Sequence, residues 1–389
     1  MIVARATVAA ALLALAGCQR PTPGPLVVRL PEGTTAVAPI PAQPGVSQEA
    51  VFSLKRLGEV PYDGFSLPLV SPDGSMAAIQ SANSAQWPIL LGEGAGTPLA
   101  KVTIVPLHAS GLAPLTEADG ASLLLGRSVD AAGFLVEAPQ ADGSRWIGKV
   151  AWTGGAPAWL VRDDFINAHA SASSTGLLAW SRRAREGTGF SLAIAPIVEG
   201  SCGPVCMVES VRGASWHAPT FSGDGRTLYA LRLDDGVLAA CAFPVVDGRI
   251  ETPSATMELS ARADARTAYQ TLTALRCART TRGSLALHHP RFARMAIWDA
   301  DENSVALASP GSVALADLQD GRLLCTSATR LAIEPSPSRS KATEASVALA
   351  LLDAVWIPVS LAPDGTVLIV HPIAGHLEFA EFRLARSTP

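Results

Sequence analysis

Ser71-Pro72-Asp73-Gly74, followed by Ser75-Met76-Ala77-Ala78-Ile79, is the stretch whose reading decides the fold class. Proline suits the second position of a type I turn, aspartate hydrogen-bonds the main chain two residues on, and glycine accepts positive φ. The strand that follows is apolar on both faces instead of alternating. That pattern suits a strand sandwiched between neighbouring sheets. Two further copies are clear. Ser222-Gly223-Asp224-Gly225 precedes Thr227-Leu228-Tyr229-Ala230-Leu231, and Ala362-Pro363-Asp364-Gly365 precedes Thr366-Val367-Leu368-Ile369-Val370. Weaker copies are Ser128-Val129-Asp130 before Gly133-Phe134-Leu135-Val136, and Ser173-Ser174-Thr175-Gly176 before Leu177-Leu178-Ala179-Trp180.

The copies are regularly spaced. Asp73 and Asp224 lie 151 residues apart, and Asp224 and Asp364 lie 140 apart. Asp130 and Ser174 divide the first interval into three steps of roughly 50, and the second divides into three near ~47. Six steps make seven copies, and residues 48–389 supply about 49 residues for each. The spacing predicts an all-β domain, a β-propeller of four-stranded antiparallel sheets with seven blades; six or eight blades also fit. A pair of β-sandwich domains is the competing architecture, because it too gives many short strands. Among the missing copies, residues 283–287 read as an inner strand. Residues 312–318, with Asp320-Gly321 after them, read as an outer hairpin. Residues 334–345, rich in Pro and Ser, read as an inserted loop.

These turns resemble the Ser-Pro-Asp-Gly signature of the Tol-type periplasmic propellers, a branch of the WD-repeat-like group. The resemblance covers three good copies and two poor ones. It implies a fold and not an activity, because the signature recurs in propellers of unrelated function. The Trp-Asp dipeptide of true WD repeats occurs once, at Trp298-Asp299, without its usual Gly-His partner.

Composition agrees with many short strands. Gly (33) and Pro (29) are spread along all 389 residues, a density of punctuation that works against long helices. Apolar residues make 48% of the chain and charged ones 16%, enough to bury a sizeable core. The formal net charge is −4 with no basic stripe, which argues against nucleic acid as a partner.

The amino terminus reads as an address. Arg5 and the free amine form a weakly positive start, and residues 6–15 form an apolar run too short to span a bilayer. Leu15-Ala16-Gly17-Cys18 then resembles the bacterial lipobox, a large aliphatic residue, two small ones and Cys. In that family the Cys thiol receives a diacylglycerol and becomes the first mature residue. The resemblance implies residues 1–17 as signal peptide and a lipid anchor, palmitate among its acyl chains, on Cys18. Such an anchor holds the protein by burying methylenes. Gln19 stands where the enterobacterial pattern uses Asp to retain a lipoprotein at the inner membrane. The expected address is therefore the periplasmic side of an outer membrane. Residues 18–47 carry seven prolines and read as a semi-rigid spacer, leaving 48–389 as the folded domain.

The residues that usually carry chemistry do not converge in sequence. Cys202-Gly203-Pro204-Val205-Cys206 reads as a hairpin tip closed by a disulfide, with a pair that crosses to Cys241 as the alternative, its spacing unlike the Cys-x-x-Cys of redox or zinc sites. His108, His169, His217, His288, His289, His371 and His376 are scattered, and no His-Glu-x-x-His occurs, so no metal or cofactor is expected. There is no Gly-x-Ser-x-Gly elbow, P-loop or dinucleotide fingerprint. Trp146, Trp152 and Trp159 lie at hairpin spacing and read either as an exposed stacking cluster or as packing between blades. Asp73, Gly74, Asp224, Gly225, Asp364 and Gly365 read as structural turn residues. The sequence thus points to a lipid-anchored envelope propeller acting as a non-enzymatic protein-binding scaffold. The alternatives are a glycan- or small-ligand-binding protein, or a hydrolase or lyase, with a site at the propeller channel, and a surface protein with no discrete ligand.

Overall fold

The computed structural model describes residues 54–62, 68–81, 100–108, 111–112, 116–120, 122–208, 214–263, 285–289, 294–300, 304–307, 312–317, 323–327, 330–334, 347–351, 356–361, 366–373 and 375–383. They are all-β, with no helix among them. After β1 (Leu54–Pro61), the first sheet runs β2 (Leu69–Val70), β3 (Met76–Ser81) and β4 (Lys101–His108). The short strands β5 (Gly111–Leu112) and β6 (Thr116–Glu117) both pair with β4. Next come β7 (Leu124–Val129), β8 (Gly133–Pro139), β9 (Arg145–Ala151) and β10 (Ala158–Val161). They are followed by β11 (Ile166–Ala172), β12 (Leu177–Arg183), β13 (Ser191–Val198), β14 (Ser201–Cys202) and β15 (Cys206–Val208). These nine strands form one sheet, but its two antiparallel meanders meet only at a parallel pairing of Ile166 with Arg145.

The third sheet holds β16 (Ser215–Phe221), β17 (Thr227–Asp234), β18 (Val237–Val246), β19 (Arg249–Ile250) and β20 (Ala255–Ser260). A three-stranded sheet follows, of β21 (Leu285–His289), β22 (Arg294–Asp299) and β23 (Ser304–Leu307). A four-stranded one comes next, of β24 (Ser312–Asp317), β25 (Leu323–Ser327), β26 (Arg330–Glu334) and β27 (Val347–Leu351). The last sheet combines β28 (Ile357–Leu361), β29 (Thr366–Ile373) and β30 (His376–Arg383) with β1, which pairs antiparallel to β30. The amino-terminal strand therefore completes the carboxy-terminal sheet.

Local chemistry explains the hairpins. Glu199-Gly200, Asp235-Gly236 and Asp247-Gly248 join β13–β14, β17–β18 and β18–β19, and all six residues have positive φ between 47° and 79°. That is the type I′ geometry, whose twist matches paired strands and which favours an X-Gly pair.

The core is divided into wedges between successive sheets. Val70, Ile79, Val105, Val370 and Phe379 join the last sheet to the first. Ile104, Leu125, Phe134 and Trp152 join the first to the β7–β10 meander, and Ile147, Leu178, Trp180 and Ala193 join that meander to β11–β15. Ile194, Trp216, Leu228 and Phe243 make the next wedge. Ala218, Tyr229, Leu287 and Trp298 make the one after. A sheet buried on both faces needs apolar residues on both, which is why β8 is buried at all seven positions.

The first strands of the sheets stand side by side around an axis. β2 packs beside β7, β7 beside β11, β11 beside β16, β24 beside β28, and β28 beside β2. This placement corrects the reading of residues 312–318 as an outer hairpin. Strand β24 is the first of its sheet and lies against the first strand of the next. Its apolar alternation reads the same in either place. The Pro/Ser-rich segment lies outside the described residues beyond Glu334.

Candidate functional site

The aspartate turns cap one end of the ring. In the turn of residues 71–74, Gly74 N–H donates to Ser71 O at 2.9 Å with Gly74 at φ 75°, and Ser75 N–H donates to Asp73 Oδ1 at 3.0 Å. The turn at 222–225 repeats this, with Gly225 N–H to Ser222 O at 3.0 Å and Arg226 N–H to Asp224 Oδ1 at 3.0 Å. Sequence reasoning missed the part played by the first serine. Ser222 Oγ donates to Asp224 Oδ1 at 2.6 Å and accepts Thr227 N–H at 3.0 Å, and Ser71 does the same with Asp73 and Met76. These serine hydroxyls, ahead of the backbone donors, hold the Asp73 and Asp224 carboxyls below their ordinary range. Asp364 and Gly365 lie outside the described residues.

A buried polar network fastens the two meanders of the nine-stranded sheet. Arg145 Nη1 meets Glu137 Oε2 at 3.1 Å, with side chains only 3% and 5% exposed. Glu137 Oε1 accepts Ala170 N–H at 3.1 Å from the next meander, and Asn167 Nδ2 donates to Arg145 O at 2.9 Å. Trp180 Nε1 donates to Asn167 Oδ1 at 2.9 Å, so a fully buried indole has its one donor satisfied. Asp163 accepts from Asn167 at 2.7 Å and pairs with Arg182 at 2.9 Å. Burial pulls the Arg145 guanidinium down from its ordinary value, opposed by the Glu137 charge.

At the inner rim the first strands bring together groups that are distant in sequence. Strand register breaks within five of them, β7, β11, β16, β24 and β28. Such bulges re-aim side chains, and they gather beside binding sites. His169 sits in one break with φ 58°, and Ala218, beside His217, sits in another with φ 49°. The His169 and His217 rings are 5.7 Å apart between centroids, and Phe190 lies 5.6 Å from His217 and 6.2 Å from His169. Arg183 places its guanidinium carbon 4.8 Å from the Phe190 ring, and Ser181 Oγ is 3.4 Å from His169 Nδ1. Burial, with the Arg183 charge beside it, pushes His217 down to about 4, so its imidazole is neutral at pH 7. One signal for this pair was available in the sequence. The dipeptide His-Ala occurs at 169–170 and at 217–218, 48 residues apart, close to one repeat.

The other predicted positions are dispersed. The bridge expected between Cys202 and Cys206 is not formed, and both thiols are free. Cys202 pairs with Ile197 and packs into the wedge with Trp180, whereas Cys206 pairs with Ile194 and packs into the wedge with Trp216. They lie on opposite faces of the sheet, so their Cβ vectors diverge and a bridge would need backbone movement. Burial pushes the Cys202 thiol up to about 11. Trp152 is buried against Phe134 and donates to Asp130 O at 2.9 Å. Trp146 and Trp159 are half-buried and pack edge to face at 5.4 Å, with Arg162 4.4 Å above Trp146. Residues 15–18 lie outside the described residues, and so do the side chains of His108, His288 and His289. Among the described residues no three His, Cys, Asp or Glu side chains are grouped to hold a metal. No helix there is long and apolar enough to cross a membrane.

No protein-family model and no curated protein matches this chain. Solved structures do. The β-propeller domain of Cps50 (Swd1) from Myceliophteria thermophila superposes with a TM-score of 0.50 at 12% identity, over 84% of this chain and 99% of that one. The Dos1 propeller gives 0.49 at 8% identity over 84% and 95%. The WD40 domain of Toxoplasma gondii coronin gives 0.46 at 13% over 87% of each chain. At these identities a likeness speaks to fold alone; the wedge-packed ring of sheets, with the superposition on the Cps50 propeller beside it, makes this chain an all-β propeller.

Proposed function

We propose that this chain is a lipid-anchored propeller of the bacterial cell envelope, acting as a non-enzymatic scaffold that binds another protein. The observation that carries the reading is an apolar patch on a rigid platform. Val198 and Val246, 52% and 51% exposed, crown the neighbouring β13–β14 and β18–β19 hairpins, and Val205 stands exposed beside them. Strands β13 and β15 both pack against β19, so the hairpins form one surface. Ile197 N–H bonds Gly176 O at 2.8 Å, which puts this surface on the end that carries the aspartate turns. Exposed apolar side chains gathered on a fixed frame mark a protein interface. Strand β1 starts at the same end, because Leu54 pairs with Phe382 while Thr366, the first residue of β29, pairs with Arg383. The tether from Cys18 would leave there.

The same proposal takes the nine-stranded sheet as two blades divided at its single parallel pairing, which gives seven blades in all. Capture from detergent extracts of the envelope tests the scaffold. A protein recovered with the native chain and lost with the V198D/V246D double variant supports it, and identical recoveries overturn it. C18A tests the anchor: the variant should leave the membrane fraction, and its retention there would overturn the lipid reading. A second reading, a ligand site at the channel, is favoured by the His169–His217 pair.

A further inference from the structure

Two neighbouring hairpins carry the same tip. Pro196-Ile197-Val198-Glu199-Gly200 and Pro244-Val245-Val246-Asp247-Gly248 lie 48 residues apart. Their hydrogen bonds match one for one. Ile197 N–H donates to Gly176 O and Val245 N–H to Arg226 O, both at 2.8 Å. Gly203 N–H donates to Pro196 O at 2.8 Å, and Glu251 N–H to Pro244 O at 3.0 Å. This register puts one half-exposed valine, with an exposed carboxylate next to it, at the head of each hairpin. The register alone does not demand the valine: in the first sheet Leu107 N–H makes the same bond to Ser75 O at 2.7 Å, and His108 follows. Ile197 and Val245 pack into the wedges of the core, whereas Val198 and Val246 stand out from it. Apolar side chains held out of the core on one surface gain by being covered.

Charge decides what covers them. Among the described residues neither Glu199 nor Asp247 has an ion-pair partner. The cations nearby are offset. Arg226 lies beside Asp224, whose carboxyl it helps to hold down, and Arg249 and Glu251 are both exposed while Ile250 between them turns into the core. Glu199 and Asp247 are left as the uncompensated charges. A second copy of this surface would set these carboxylates against their own images, and an anionic bilayer or a nucleic acid would set them against phosphates; all three are repelled. We propose that the twin hairpins β13–β14 and β18–β19 dock a protein segment in which apolar side chains lie beside lysine or arginine. This rests on the scaffold reading and names the chemistry of its partner: the cations meet Glu199 and Asp247, and the apolar side chains cover Val198 and Val246.

The test uses the full-length protein in detergent and soluble peptides of about ten residues. One carries two valine–lysine pairs on a serine–glycine backbone, a second has glutamate for lysine, and a third has serine for valine. The lysine peptide should bind about fivefold or more tightly than the glutamate peptide, as expected for two exposed ion pairs gained against two repulsions. E199Q/D247N, or salt raised to about 0.5 M, should erase that preference. V198S/V246S, which removes the apolar contact without adding charge, should weaken the lysine peptide to the level of the serine one. All four positions are exposed, so the variants leave the core intact. Equal binding of the lysine and glutamate peptides, no binding of either, or a preference that survives E199Q/D247N overturns the proposal. So does self-association, or binding of C18A to phosphatidylglycerol vesicles, that V198S/V246S abolishes. Envelope capture separates the two readings: a protein lost with V198S/V246S but kept by E199Q/D247N and by high salt leaves the scaffold standing and overturns the basic partner.

Discussion

Replacing Arg145 by Met should cost this fold about 3–5 kcal/mol, the usual penalty for stranding one half of a buried ion pair. The magnitude follows from what remains. Glu137 loses its guanidinium partner with its side chain 5% exposed, keeping only the Ala170 N–H at 3.1 Å among its hydrogen bonds described above. Removing the charge as well, in R145M/E137Q, keeps an acceptor for Ala170 and should bring the loss down to about 1–2 kcal/mol. Urea denaturation followed by tryptophan fluorescence measures both, since Trp180 sits in the same network and an unchanged slope certifies a pure stability effect. Two results would refute the reasoning: R145M within about 1 kcal/mol of the native protein, or a double variant no more stable than the single one.

Stability should fall as pH drops from 6.5 towards 4. The unfolded chain takes up a proton at His217 in that window and the folded chain does not, which amounts to about 3 kcal/mol; H217F should flatten the profile there. G225A should cost about 1–2 kcal/mol, because φ is 73° and the new Cβ would lie 3.1 Å from Thr175 Oγ1. G143A, at φ 86° in open space, should cost less, and equal losses in urea titrations would remove Thr175 crowding as the cause. In the folded protein the Cys202 thiol, pushed up to about 11 from 9.0, should alkylate about a hundredfold more slowly than an unperturbed thiol. In denaturant, without reductant, both Cys202 and Cys206 should be modified, and intact-mass spectra showing either one blocked would contradict their placement on opposite faces.

What the sequence made legible was periodic. Turn chemistry at 71–74 and 222–225, with apolar strands following, pointed to an all-β propeller because both signals are local and repeat. The packing of a strand within a sheet is less legible: 312–317 reads as apolar alternation whether it lies inside or outside. The Cys202–Cys206 pairing failed because five residues of sequence hide which face of a sheet each side chain takes. The Glu137–Arg145–Asn167–Trp180 network joins four strands, and no periodicity encodes which polar residues find one another. The inner-rim pair needed two facts that no pattern supplies, the adjacency of β11 and β16 and the left-handed backbone at His169 and Ala218.

The closure by β1 carries a consequence for the order in which the chain is built. Leu54 and Phe382 are paired although 328 positions separate them. Bringing such ends together costs about 5 kcal/mol in chain entropy, and that cost falls due before any closing contact forms. Strand β1 must therefore wait, unpaired, until β30 has been made. Until β30 emerges, the growing ring has two open edges, each a row of free backbone donors and acceptors able to recruit a strand from another copy. Premature termination a few residues short of β30 is thus far more damaging than the same number of residues lost from a surface loop.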